Sequence, residues 1–139
     1  MNGVITLNRA RVLQIEEQIN LLPIVWNELP LEHYFGHKCY MRQIVMPKDT
    51  VLTGVIHKYK QIHILLVGEL SILTDIGPIR IKAPYIFMAP AGSKRAVFAH
   101  EESVWLSVHG TEKVDPEEIM EEITSKTFEE FDQFCKEQS

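Results

Sequence analysis

Hydrophobic and polar positions along the chain follow three successive rhythms. In the first, Leu7, Arg11, Ile15, Ile19 and Leu22 fall near the spacing of one helix face, with Glu16, Glu17 and Gln18 turned outward. This predicts a helix from about Leu7 to Leu21 or Leu22, stopped by Pro23, because the residue before a proline avoids the helical region. Between Pro23 and His37 the pattern is irregular, and Trp26, Tyr34 and Phe35 are expected to pack over a sheet edge. From Cys39 the rhythm shortens to short apolar stretches separated by Gly, Pro and Asp. The expected strands are Cys39–Met46, Val51–Ile56, Gln61–Val67, Leu70–Thr74, Ile79–Lys82, Tyr85–Met88, Lys94–Ala99 and Val104–His109. Strands at such spacing, with no helix between them, predict an all-β sandwich or barrel rather than a parallel α/β sheet. The third rhythm is helical again. Asp115-Pro116-Glu117-Glu118 combines an N-cap acid, a proline at the first turn and acids at the positive end of a helix dipole. Thr127-Phe128-Glu129-Glu130 repeats that chemistry as a capping box, with Phe128, Phe131 and Cys135 as the expected apolar face.

Composition narrows the class. The 139 residues are 45% hydrophobic and 24% charged, which suits one globular domain over 1–139. Its parts are an N-terminal helical segment (about 7–22), a β core (about 33–110) and C-terminal helices (about 115–137). A net charge of −5 offers a nucleic acid no general attraction. No apolar run approaches the roughly 18 residues of a membrane span, so no membrane partner is expected. Cys39 and Cys135 are far apart and carry no metal or redox spacing, which gives a reducing, cytoplasmic expectation.

The candidate chemistry lies between Gly54 and Gly68. His57, Tyr59, Gln61 and His63 occupy every second position, so on an extended chain they project to one side. Such convergence on an inner face predicts a pocket wall able to donate and accept hydrogen bonds near neutral pH. On the opposite side Ile62, Ile64 and Leu66 form an apolar face that needs a cover, from the terminal helices or from a second copy in a homodimer. Arg95 follows a Pro90-Ala91-Gly92 turn and could clamp a carboxylate or phosphate, while alternation turns Lys94 outward. His109 ends the last strand and is a further candidate for the pocket; His100 is expected at the surface. No nucleophile elbow, phosphate loop, His-Glu-x-x-His or dinucleotide fingerprint is present, and Ser103 and Ser107 have no evident base.

Two motifs carry a family resemblance. Counted back from Gly68, the positions Val55, His57 and Gln61 align with the first motif of the cupins, and Pro90-Ala91-Gly92-Ser93-Lys94-Arg95 resembles the second. Tyr40-Met-Arg-Gln-Ile-Val-Met-Pro, Thr53-Gly-Val-Ile-His-Lys, Ala83-Pro-Tyr and Ala99-His-Glu-Glu-Ser-Val-Trp resemble small single-domain cupins carried by tailed bacteriophages. The resemblance spans roughly residues 32–120. It implies a double-stranded β-helix (an RmlC-like jelly roll) flanked by the helices predicted above. Cupin metal sites resemble three histidines and a glutamate, whereas the matching positions here are Val55, His57, Gln61 and Arg95. No resident metal is therefore expected; if a divalent ion did bind, His57 and His63 would be its ligands. The resulting expectation is a phage-type cupin, in the host cytoplasm, binding a small polar or anionic molecule through His57, Tyr59, Gln61, His63, Arg95 and His109. Two alternatives stand beside it: a metal-dependent oxygenase, isomerase or lyase using His57 and His63, and a structural or regulatory phage protein with a vestigial pocket.

Overall fold

The computed structural model describes residues 3–20 and 29–138. Helix α1 (Gly3–Asn20) begins four residues before the expected start, and Leu21, Leu22 and Pro23 lie outside the described residues. Its buried face is Asn8, Val12 and Ile19, while Leu7 is exposed. The stripe is offset because a polar residue anchors it: the Asn8 amide donates to the Asp75 carbonyl at 2.8 Å. A template built only on apolar spacing misses such a position. Glu16 is turned inward rather than out. Its carboxylate receives the Lys94 ammonium at 2.8 Å and the Thr53 hydroxyl at 2.9 Å.

The stretch read as an irregular connector contains β1 (Leu31–Gly36), which pairs along its whole length with β2 (Cys39–Met46). All six β1 residues are exposed, so no inside–outside alternation marks this edge strand. The expected strand Val51–Ile56 divides into β3 (Val51–Thr53) and β4 (Ile56–His57). Then follow β5 (Gln61–Val67), β6 (Glu69–Thr74), β7 (Gly77–Lys82), β8 (Tyr85–Ala89), β9 (Ala96–Ala99) and β10 (Ser103–Gly110). The chain closes with α2 (Pro116–Ile123), β11 (Thr124–Ser125) and α3 (Phe128–Gln138). Asp115 caps α2 through the Glu117 amide at 3.1 Å. At the start of α3 the Glu130 amide donates to Thr127 Oγ1 at 3.1 Å, and the Glu130 carboxylate reaches back to the Lys126 amide at 3.0 Å, one residue short of the reciprocal bond of a capping box. The apolar face of α3 runs through Phe128, Phe131 and Phe134; Cys135 is exposed, and both cysteines are free.

Two antiparallel sheets face each other, one ordered β1-β2-β10-β5-β8 and the other β3-β9-β6-β7. Their inner faces meet in a core of Met46, Leu65, Leu70, Ile72, Val97 and Trp105, with Ile81 and Ala99 beside them. Helix α1 lies against β3, β6 and β9, so it covers the four-stranded sheet. Among the described residues no helix is long and apolar enough to cross a membrane.

The outer face of the five-stranded sheet carries one apolar row across its width. The cross-strand pairs Tyr34–Met41, Met41–Val108, Val108–Ile62 and Ile62–Met88 put these five residues in it. The next row runs Glu32, Gln43, Leu106, Ile64 and Ile86, polar on β1 and β2 and apolar on β10, β5 and β8. Ile86 is 68% exposed, Leu66 52% and Met88 50%.

Candidate functional site

The inner face changes character along its length. On β2 the inward series runs Met46, Ile44, Arg42, Tyr40; on β5 it runs Leu65, His63, Gln61; on β10 it runs Trp105, Ser107, His109. Each strand is apolar at the same end and polar at the other. Register then lines these groups up: Ser107 pairs with both Arg42 and His63, and His63 pairs with Phe87. Arg95 reaches this row from the approach to β9, its carbonyl held by the Gly54 amide at 2.8 Å.

Donors around His63 decide its state. Arg95 Nη2 lies 2.7 Å from His63 Nε2 and can only donate, so Nε2 carries the lone pair. The ring proton is then on Nδ1 and is given to Ser107 Oγ at 3.0 Å. Trp105 Nε1 lies 3.0 Å from Nδ1 and 3.2 Å from Ser107 Oγ; with Nδ1 protonated, its own proton goes to the oxygen. Burial, and next the Arg95 charge, push the His63 pKa down to about 2. A serine beside a histidine suggests a nucleophile and its base, but here Ser107 Oγ receives two hydrogen bonds and His63 has no basic nitrogen facing it. Seryl hydrolysis is excluded on these contacts.

His57 is held differently. Strand β4 leaves both large sheets and pairs with β11, Thr124 opposite His57. The His57 carbonyl accepts from the Gly92 amide at 2.7 Å. Gly92 has φ +83, and an added Cβ would sit 2.7 Å from Phe131 Cζ, so only glycine lets α3 press on this turn. The imidazole stacks on His109, with ring centroids 5.5 Å apart. Neither of its buried nitrogens makes a hydrogen bond of ordinary geometry; the ring only approaches the Val55 backbone, closely enough to raise its proton affinity slightly. Burial followed by Arg95 lowers its pKa to about 3; burial followed by Arg42 lowers that of His109 to about 4. All three imidazoles are neutral at pH 7.

The two arginines remain charged. Burial lowers Arg95 to about 10, Asp75 alone opposing it, and burial also lowers Arg42. Neither forms a salt bridge with a described carboxylate; Asp75 itself pairs with Arg9 at 3.8 Å. Arg42 extends past the polar row to Met120 Sδ of α2, at 3.9 Å.

Two cavities meet this cluster. The inner one, of about 70 Å³, has a polar wall of Arg42, His57, His63, Arg95 and Ser107. The outer one, of about 380 Å³, is lined by His57, Tyr59, Lys60, His109, Glu122 and Ile123 with Gly110. His57 belongs to both.

Of the residues expected from sequence, His57, His63 and Arg95 come together at the inner cavity, and His57 and His109 at the outer one. Tyr59 does not share a strand with them. Residues 58–60 form a bend between β4 and β5, and Tyr59 is half exposed at the outer rim, edge-on to Phe134. Gln61 is buried with both amide atoms unpartnered but lines neither cavity. Lys94 is buried against Glu16 rather than turned outward, because α1 folds back over it. His100 is half-buried, bonded to Ser71 at 2.6 Å. Arg42 was not among the candidates, although it shares inward parity with Tyr40 and Met46. That parity was the available signal.

The residues present do not fit a metal ion. His63 has its lone pair occupied by a guanidinium and its other nitrogen protonated, and a cation already stands 2.7 Å from the would-be ligand atom. Among the described residues no group of three His, Cys, Asp or Glu side chains is arranged to hold one.

No family model matches the sequence, and no curated protein matches it. Solved structures do. A cupin superfamily protein from Desulfitobacterium hafniense aligns with a TM-score of 0.53 at 14% identity, over 67% of this chain and 86% of the other. The fold is that of the cupins. KdgF from Halomonas sp. aligns with a TM-score of 0.54 at 13% identity, over 65% of this chain and 84% of that cupin-fold neighbour. The Cupin_2 domain of an XRE family transcriptional regulator from Enterobacter cloacae gives 0.52 at 11%, over 61% and 98%. At these identities the likeness is one of fold.

Proposed function

We propose that this cupin barrel binds a small anion at its polar end without a resident metal. One observation carries the reading: two charged arginines, Arg42 and Arg95, line a cavity whose imidazoles are all neutral, and neither forms a salt bridge with a described carboxylate. A buried cation without a counter-ion is costly, and a bound anion removes that cost through charge-assisted hydrogen bonds. Arg95 is pre-oriented by His63, so it loses little freedom on binding. His57, with two unpartnered nitrogens at the junction of the cavities, supplies a further donor. Tyr59 and His109 belong to the outer cavity through which the ligand would pass.

Calorimetric titration with acetate, sulfate and phosphate tests this, alongside elemental analysis of freshly purified protein. Binding of at least one anion by the wild-type chain, lost in Arg95→Ala with the fold intact, is the expected result. Unchanged affinity in Arg95→Ala removes the clamp. Stoichiometric iron, zinc or manganese removes the metal-free assignment and favours a metal-dependent enzyme instead.

The uncovered outer face of the five-stranded sheet supports a second component of the reading, a homodimer. The main contacts of α1 are with the other sheet and those of α2 and α3 with β11, and an exposed apolar row can pair with its own copy across a two-fold axis. Light scattering should give twice the 16.0 kDa chain mass, falling to one mass in Ile86→Lys. A monomer at all micromolar concentrations refutes it. The stretches that resemble phage cupins support a phage origin and a role in the host cytoplasm, which inspection of the neighbouring genes checks directly.

A further inference from the structure

We infer that the ligand is a short aliphatic monocarboxylate, an inference that rests on the anion-binding reading above and narrows it. The inner cavity is two-faced. Away from its polar end the lining is Ile44, Met46, Leu52, Val97 and Trp105, and the one polar atom there, Trp105 Nε1, is turned to the His63–Ser107 pair. Only one end can therefore take charge. A phosphate or sulfate needs donors on all sides, and any oxygen turned to the apolar end would meet none. A dicarboxylate of matching length would press its second charge against Met46 and Leu52, where nothing can pair with it. A monocarboxylate fits both walls: a planar head suited to guanidinium forks and a chain suited to aliphatic side chains.

Size sets the length. A volume of about 70 Å³ at roughly 10–15 Å³ for each water-sized occupant gives about five to seven non-hydrogen atoms. That corresponds to a carboxylate of about three to five carbons. Longer chains would have to turn back past His57 into the outer cavity, whose walls include Lys60 and Glu122.

Titration of the full chain with acetate, propanoate, butanoate, pentanoate and octanoate, and with succinate, phosphate and sulfate, tests the assignment. Affinity should rise about three- to fourfold per added methylene up to butanoate or pentanoate, then fall at octanoate. Succinate, phosphate and sulfate should bind at least tenfold more weakly than butanoate. Leu52→Phe, which shortens the apolar end without touching the arginines, should move the optimum towards acetate. If phosphate, sulfate or succinate binds more tightly than every monocarboxylate, the ligand class is wrong while anion binding stands. If chain length has no effect on affinity, the apolar wall plays no part and the class is equally wrong. If no anion binds at all, the underlying reading fails with it.

Discussion

Gly92 offers a sharp test of how the C-terminal helix supports the site. Replacing it with alanine imposes two separate costs. The backbone at φ +83 is unfavourable for any residue with a Cβ, by about 1–3 kcal/mol. The new methyl would also lie 2.7 Å from Phe131 Cζ and closer still to Cε2, an overpacking worth about 1–3 kcal/mol. Gly92→Ala should therefore destabilise the fold by about 2–6 kcal/mol, a large fraction of the roughly 5–15 kcal/mol that holds a domain together. Phe131→Leu removes the ring atoms that clash and by itself should cost about 1–3 kcal/mol for the buried carbons lost. In that background only the backbone cost remains, so the pair should show a favourable coupling of about 1–3 kcal/mol. Urea denaturation of the four proteins measures it. Additivity within about 0.5 kcal/mol would mean that α3 does not press on the turn, and a neutral Gly92→Ala would refute both parts of the argument.

Two further outcomes follow from the buried charges. His57, His63 and His109 have pKa values near 3, 2 and 4 in the folded chain and near the ordinary 6.5 when unfolded. The unfolded chain therefore binds more protons below pH 6.5. Stability is full above about pH 7 and is lost as the pH falls, by roughly 1.4 kcal/mol per histidine per pH unit. Urea midpoints at pH 7, 6 and 5 should drop steeply, and His57→Gln should remove about a third of the slope; equal midpoints at pH 7 and 5 would contradict the assignment of three neutral imidazoles. Glu16→Gln should cost about 1–3 kcal/mol, less than the 3–5 of a wholly buried pair because its carboxylate is partly exposed. Hydrogen exchange should show α1 losing protection first, and uniform protection across both sheets and α1 would refute that.

The parts legible from sequence were those whose signal is local. Period-two alternation marks β5 because one of its faces is buried polar and the other apolar, and the cap chemistry at Asp115 and Thr127 marks α2 and α3 because each cap is formed within a few residues. Strand β1 left no such trace, since all of its residues are exposed at an edge. The break between β3 and β4 was equally hidden: the partner of β4 is β11, some seventy residues later. At the site, His57, His63 and Arg95 follow from register and motif position. The burial of Lys94 depends on Glu16 in a helix remote in sequence, and Tyr59 left the strand because the chain bends at 58–60. Arg42 is a lone arginine in a largely apolar strand and has none of the clustering that marks the histidines. Strand parity would have placed it.

The pairing of β4 with β11, and the seat of Phe131 on Gly92, place the support of His57 in the last stretch of the chain. Both large sheets are complete by Gly110, whereas the strand that fixes His57 comes from beyond residue 116. The core of Met46, Leu65, Leu70 and Trp105 and the scaffold of the ligand chamber are therefore encoded in different parts of the sequence, and one can change without the other.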